Sequence, residues 1–168
     1  YSPSGRVPVL RDGNLTVWDS LAICEYLAEK FPQHALWPAS VEARATARSV
    51  SAEMHSGFAT LRENMTMNCR KHLPGKGRAP GVQQDIDRIT EIWRDCRNRY
   101  GAGGDMLFGK FSIADAMFAP VTFRFVTYGV DTDPVSAAYI KAVQALASIQ
   151  DWLAAARAEH EVIAQYER

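Results

Sequence analysis

Residues 112–128 constrain the fold more than any other stretch of the sequence. Behind Ser112-Ile113-Ala114-Asp115, the residues Ala116, Met117, Phe118, Ala119, Val121, Phe123 and Phe125 place apolar groups on every side of a helix. Such a helix is stable only with other elements packed around it. Ser112, with Asp115 three residues on, has the spacing of a capping box, Asp standing in for the usual Glu. These two residues read as structural caps of a buried helix. Pro120 lies inside the segment and predicts a kink.

The partners for that central helix are legible as apolar stripes. Ala47, Val50, Met54, Phe58, Leu61 and Met65 step by three or four, which predicts one continuous helix from Ser40 to about Asn68. Val82, Ile86, Ile89, Trp93, Cys96 and Tyr100 predict a second, closed by Gly101. Between them, Leu73 to Gly81 carries two Pro and three Gly and reads as a loop. Asp133-Pro134 predicts a further helix with Pro in its first turn. Ser148-Ile149-Gln150-Asp151 repeats the capping spacing and predicts the start of the last helix.

The first twenty residues differ in kind. Val7-Pro8-Val9-Leu10 and Leu15-Thr16-Val17-Trp18 flank Asp12-Gly13-Asn14, a hairpin signal. Pro8 cannot donate to a ladder and belongs at an edge or in an unusual backbone. A helix is expected from Asp19-Ser20 to Pro32, with Leu21, Cys24, Leu27 and Phe31 on its apolar side. Two strands are marginal alone, so a larger sheet is expected to include them.

The chain has 168 residues, 47% of them hydrophobic, and nineteen Lys and Arg balance nineteen Asp and Glu. That size and composition support a folded core of one or two small domains. A zero net charge argues against nucleic-acid binding by bulk charge, and no apolar run reaches the length of a membrane span. Cys24, Cys69 and Cys96 form no CxxC pair and no metal-ligand set, so no metal is expected, and they suit a reducing cytoplasm.

The residues Ser4-Gly5-Arg6-Val7-Pro8-Val9-Leu10, Asp12-Gly13 and Trp18-Asp19-Ser20-Leu21-Ala22-Ile23-Cys24-Glu25-Tyr26-Leu27 resemble the second half of a glutathione transferase N-terminal domain. Phe108-Gly109-Lys110-Phe111-Ser112-Ile113-Ala114-Asp115-Ala116 resembles the start of the buried helix of that family's C-terminal domain. Order and spacing match too, so the resemblance covers nearly the whole chain. It implies an α/β plus all-α fold: residues 1–33 as the C-terminal part of a thioredoxin-like domain (a β-hairpin plus helix), and residues 34–168 as an all-helical domain.

The resemblance also implies a site. Pro8 would follow a cis bond and present the Val7 backbone to the cysteinyl part of glutathione. Asp19 and Ser20 would hold the γ-glutamyl end. The free N–H groups and positive dipole end of a helix suit a carboxylate, and Asp19 can pair with an ammonium group. Asp19 stands where many relatives carry Glu or Gln, and its carboxylate reaches less far. The family's thiol-activating Tyr, Ser or Cys lies in an earlier βαβ part. Such a unit takes about 30 residues or more, so the activator is expected upstream of Tyr1, and these 168 residues alone are expected to be inactive.

The implied reaction is attack of the glutathione thiolate, a co-substrate rather than a fixed cofactor, on a hydrophobic electrophile. Met54, His55, Phe58 and Met65 are candidates to line the electrophile's pocket, although an apolar stripe serves equally as core or interface. The further implications are a cytoplasmic homodimer, formed through the helices beginning near Ser40 and Val82, with a role in detoxification. The alternatives are a non-catalytic binding or assembly module, and a related isomerase or thiol-peroxidase.

Overall fold

The structure, a computed structural model, describes residues 2–164. Strands β1 (Val9–Asp12) and β2 (Leu15–Trp18) form an antiparallel hairpin in the register Val9↔Trp18 to Asp12↔Leu15. Gly13, at φ 60°, supplies the positive φ its two-residue turn needs. Helix α1 (Ser20–Lys30) follows directly. A 3₁₀ turn (Pro32–His34) then leads into helices α2 (Val41–Ser56), α3 (Ala59–Asn64), α4 (Val82–Tyr100), α5 (Ile113–Tyr128), α6 (Pro134–Gln144) and α7 (Ala147–Ala158).

Helix α5 is the centre of the bundle, packed against α2 and α6. Its Phe118 and Phe125 meet the Trp93 ring of α4 at centroid distances of 6.0 and 5.3 Å, and Tyr139 of α6 meets the same ring at 5.0 Å. The Asp115 carboxylate accepts from the Ser112 N–H (2.8 Å) and the Ser112 hydroxyl (2.9 Å). It also accepts from the Leu107 N–H at 3.0 Å, so it ties the preceding loop to the helix start. Burial pushes this carboxyl above its ordinary value, against the pull of those donors.

Two expectations fail in detail. The helix predicted from Ser40 to Asn68 is interrupted at Gly57-Phe58. Phe58 adopts a left-handed conformation (φ 58°), and its side chain is buried. The apolar stripe runs across the break unchanged because α3 restarts with Leu61 and Met65 on the same inner side, so periodicity does not reveal it. Helix α3 has no side-chain cap of its own; Asp85 of α4 accepts from the Leu61 N–H at 2.8 Å instead. The last helix starts at Ala147 with Leu146 at the cap position, and Ser148 lies inside it as an exposed residue.

Helix α6 begins as predicted. Asp133 caps it by accepting from the Val135 and Ser136 N–H groups, both at 3.0 Å, and pairs with Arg94 of α4 at 2.9 Å. Burial would raise this carboxyl, but the Ser136 hydroxyl and N–H and the Arg94 guanidinium outweigh it and hold it down at about 2. Because the folded value is depressed, the stability it contributes is present above the ordinary value of 3.8 and is lost as pH falls toward 2. Asp133→Asn should therefore flatten the fall in unfolding free energy between those limits. Urea titrations across that pH range in both proteins check this; parallel curves would contradict it.

Candidate functional site

The hairpin and α1 bring the N-terminal site candidates to one end. The ladder stops at Val9↔Trp18, so Pro8 and Asp19 are each the next residue beyond it. The Val7–Pro8 bond is cis, as the resemblance implies, and Val7 is 91% exposed outside the ladder.

Asp19 is the N-cap of α1, with φ 76° and ψ 132°. Positive φ is uncommon for a residue with a side chain, and Asp tolerates it better than most. Its Oδ1 accepts from the N–H groups of Leu21 (2.9 Å) and Ala22 (3.3 Å). Those bonds leave the N–H and hydroxyl of Ser20 as the donors at this helix end without a partner among the described residues. A free N–H, a hydroxyl and the positive end of an eleven-residue helix are suited to a ligand carboxylate.

The other oxygen of Asp19 is not free. His55 Nε2, from the last turn of α2, lies 2.8 Å from Asp19 Oδ2. His55 therefore sits beside the Asp19–Ser20 end of the molecule. Sequence reasoning missed the pair because 36 positions separate the two residues and nothing local marks it. Met54, Phe58 and Met65, expected in an electrophile pocket, are instead core residues with 2%, 8% and 0% exposure. The stripe that nominated them is the one that packs α2 and α3 onto the bundle.

Glu25 of α1 fixes how this end meets the helices. It pairs with Arg48 of α2 through both carboxylate oxygens, at 3.0 and 3.3 Å, and accepts from the Trp37 indole at 3.0 Å. The Arg48 guanidinium lies over the Trp37 ring. None of the three cysteines is activated: burial pushes Cys24 and Cys69 up, and Cys96 up to about 12. Among the described residues no group of three or more His, Cys, Asp or Glu could hold a metal ion, and no helix is long and apolar enough to cross a membrane.

A hairpin entered through a cis-proline, a helix start aimed outward and a bundle built round one apolar helix define the glutathione-transferase class of fold. The comparisons agree. The glutathione S-transferase N-terminal domain model matches residues 1–30, and the C-terminal domain model matches residues 79–156. Maleylacetoacetate isomerase of Rattus norvegicus is 28% identical over 137 residues, which is 79% of this chain and 60% of that protein. Glutathione S-transferase 1 of Dianthus caryophyllus is 26% identical over 77% of this chain and 59% of its own length. A glutathione transferase homolog from Burkholderia, solved with bound glutathione, superposes with a TM-score of 0.69 at 28% identity, covering 94% of this chain and 76% of that one. The chain belongs to the glutathione S-transferase family and holds the C-terminal part of a thioredoxin-like domain followed by an all-helical domain. It spans 59% and 60% of the length of the two curated relatives named above.

Proposed function

We propose that the protein conjugates the glutathione thiolate to an electrophilic small molecule. In this reading residues 1–33 and 34–168 are two domains, and the γ-glutamyl end of glutathione rests on Asp19 and Ser20. The Val7 backbone pairs with the cysteinyl part, and the thiol-activating group comes from outside these 168 residues. The observation that carries the reading is the Ser20 N–H and hydroxyl left open at a helix start whose cap, Asp19, holds a positive φ. The chain's own part in the reaction is to bind and orient the tripeptide. The donors at Ser20 take the carboxylate, and Asp19 Oδ2 faces the ammonium. A cytoplasmic homodimer joined through α2 and α4, with a role in detoxification, completes the proposal.

The test is calorimetry with glutathione, followed by turnover of chlorodinitrobenzene in the full-length protein. Saturable binding with turnover is the expected result. Binding without turnover would favour a non-catalytic module. A second reading, glutathione-dependent isomerisation, is favoured by the likeness to the rat isomerase.

His55 gives a finer check. Its ring nitrogen occupies Asp19 Oδ2, the oxygen left for the ligand's ammonium, while Oδ1 is held by the cap whether or not His55 is present. An exposed pair of this kind contributes up to about 1 kcal/mol, so His55→Ala should tighten glutathione binding by up to about five-fold. Weaker binding would mean that the imidazole itself contacts the ligand.

A further inference from the structure

A cavity of about 290 Å³ opens between α4, the loop 101–106 and the start of α6. None of the residues assigned to glutathione lines it. Arg97 and Asp105 bring opposite charges to it, and Pro134, Val135 and Ala138 give it an apolar side. The Arg97 guanidinium is held in place through one nitrogen. Its Nη1 donates to the carbonyls of Gly101, Gly104 and Met106, at 3.2, 2.7 and 2.5 Å. The loop wraps this closely because residue 101 is Gly; a Cβ there would fall 2.8 Å from Nη1. A guanidinium has five N–H donors, so Nε and Nη2 remain without a partner among the described residues.

Asp105 is exposed and has neither a hydrogen bond nor an ion pair among the described residues, so the two charges do not neutralise each other. Asp133, just before the lining residue Pro134, cannot serve Arg97 instead. Its Oδ1 caps α6, and its Oδ2 holds the Ser136 hydroxyl (2.7 Å) and Arg94 (2.9 Å). Tyr139 also lines the cavity. It is 1% exposed, and its hydroxyl has no hydrogen-bond partner among the described residues. Burial, and then the Asp115 charge, push this phenol well above its ordinary value, while the Arg97 charge pulls the other way. Asp115 does not close a hydrogen bond to it, being taken by Leu107 and Ser112. The phenol therefore stays a neutral O–H, and leaving it unpaired when buried is costly.

An open cation and an open anion on one cavity select against singly charged ligands. A plain anion meets Asp105, and a plain cation meets Arg97; a zwitterion satisfies both. The space is below the about 300–1,000 Å³ of drug-sized pockets, so the ligand is small. We infer that this cavity binds a small α-amino acid, its carboxylate on Arg97 and Tyr139, its ammonium on Asp105 and a short side chain against Val135 and Ala138. The γ-glutamyl end of glutathione carries the same aminocarboxylate group, but on a tripeptide. The inference goes beyond the transferase reading and stands without it.

The probes are L-valine, isobutylamine, which lacks the carboxylate, and isovalerate, which lacks the ammonium. Each is titrated by calorimetry into the full-length protein with and without saturating glutathione. Valine should bind at one site, at least about tenfold tighter than isobutylamine and about fivefold tighter than isovalerate. Arg97→Gln should weaken valine by about tenfold and leave isobutylamine unchanged. Tyr139→Phe should weaken valine by about threefold or more, again without effect on isobutylamine. Asp105→Asn should weaken valine by about fivefold and leave isovalerate bound at least as tightly as before. Asp105 is exposed, so its variant keeps the test decisive even if the Arg97 variant, which frees the loop, fails to fold. Valine that binds no tighter than its two counterparts, or an Asp105→Asn protein that binds valine normally, would overturn the inference. Competitive displacement of valine by glutathione would overturn it too, since the cavity would then take the γ-glutamyl group. Glutathione affinity should be the same in the Asp105→Asn protein, which separates this outcome from the fate of the transferase reading.

Discussion

Asp115→Ala should destabilise the protein by about 3 kcal/mol. The Asp115 side chain is fully buried and accepts three hydrogen bonds, from the N–H and hydroxyl of Ser112 and the N–H of Leu107. Loss of an N-terminal cap removes about 1 kcal/mol. An orphaned buried N–H such as that of Leu107 removes about 1–3 kcal/mol more. At this chain length the sum corresponds to a fall in Tm of about 10 °C. Ser112→Ala keeps the carboxylate and both backbone donors, so it should cost only about 1 kcal/mol. Urea unfolding of the three proteins separates the two cases. Equal losses for both variants would mean that the carboxylate's link to Leu107 contributes nothing, and that the box acts as an ordinary cap. Because α5 runs through the centre of the bundle, the loss should spread to the whole folding transition rather than to one helix end.

The largest effect on binding is expected at Asp19. Asp19→Asn retains a side-chain oxygen for the Leu21 and Ala22 N–H groups, and Asn tolerates the positive φ as well as Asp does. The fold should therefore survive with little change in Tm. The negative charge is lost, and a charged hydrogen bond contributes about 1.5–3 kcal/mol. Glutathione affinity should fall by roughly 10- to 100-fold. Ser20→Ala removes a hydroxyl but leaves the N–H of the same residue, so a smaller loss of about three- to tenfold is expected. Calorimetry on both variants, each with a melting curve, provides the check. An Asp19→Asn protein that folds normally and binds glutathione at the original affinity would remove Asp19 from the ligand site and leave it a helix cap. In that case His55 is the partner its Oδ2 serves among the described residues.

The features legible in the sequence are those whose cause lies within a few residues. The hairpin is written in Asp12-Gly13-Asn14 between two β-prone runs, and its register follows from the turn. The starts of α1 and α6 follow from Asp19 and Asp133, each of which binds N–H groups two and three residues ahead. The central place of α5 follows from its having no polar side. What the tertiary structure alone decided is non-local. The break at Gly57-Phe58 is invisible to periodicity because the stripe stays in phase across it, and its resolution depends on Asp85, which reaches the Leu61 N–H from another helix. The same stripe could not say whether Met54, Phe58 and Met65 face a cavity or a core, since an apolar side chain suits both; packing against the bundle puts them in the core. His55 reaches Asp19 across 36 positions because α2 packs beside α1. Side-chain encounters of that kind have no sequence period, and they exist only once burial has fixed which helix lies beside which.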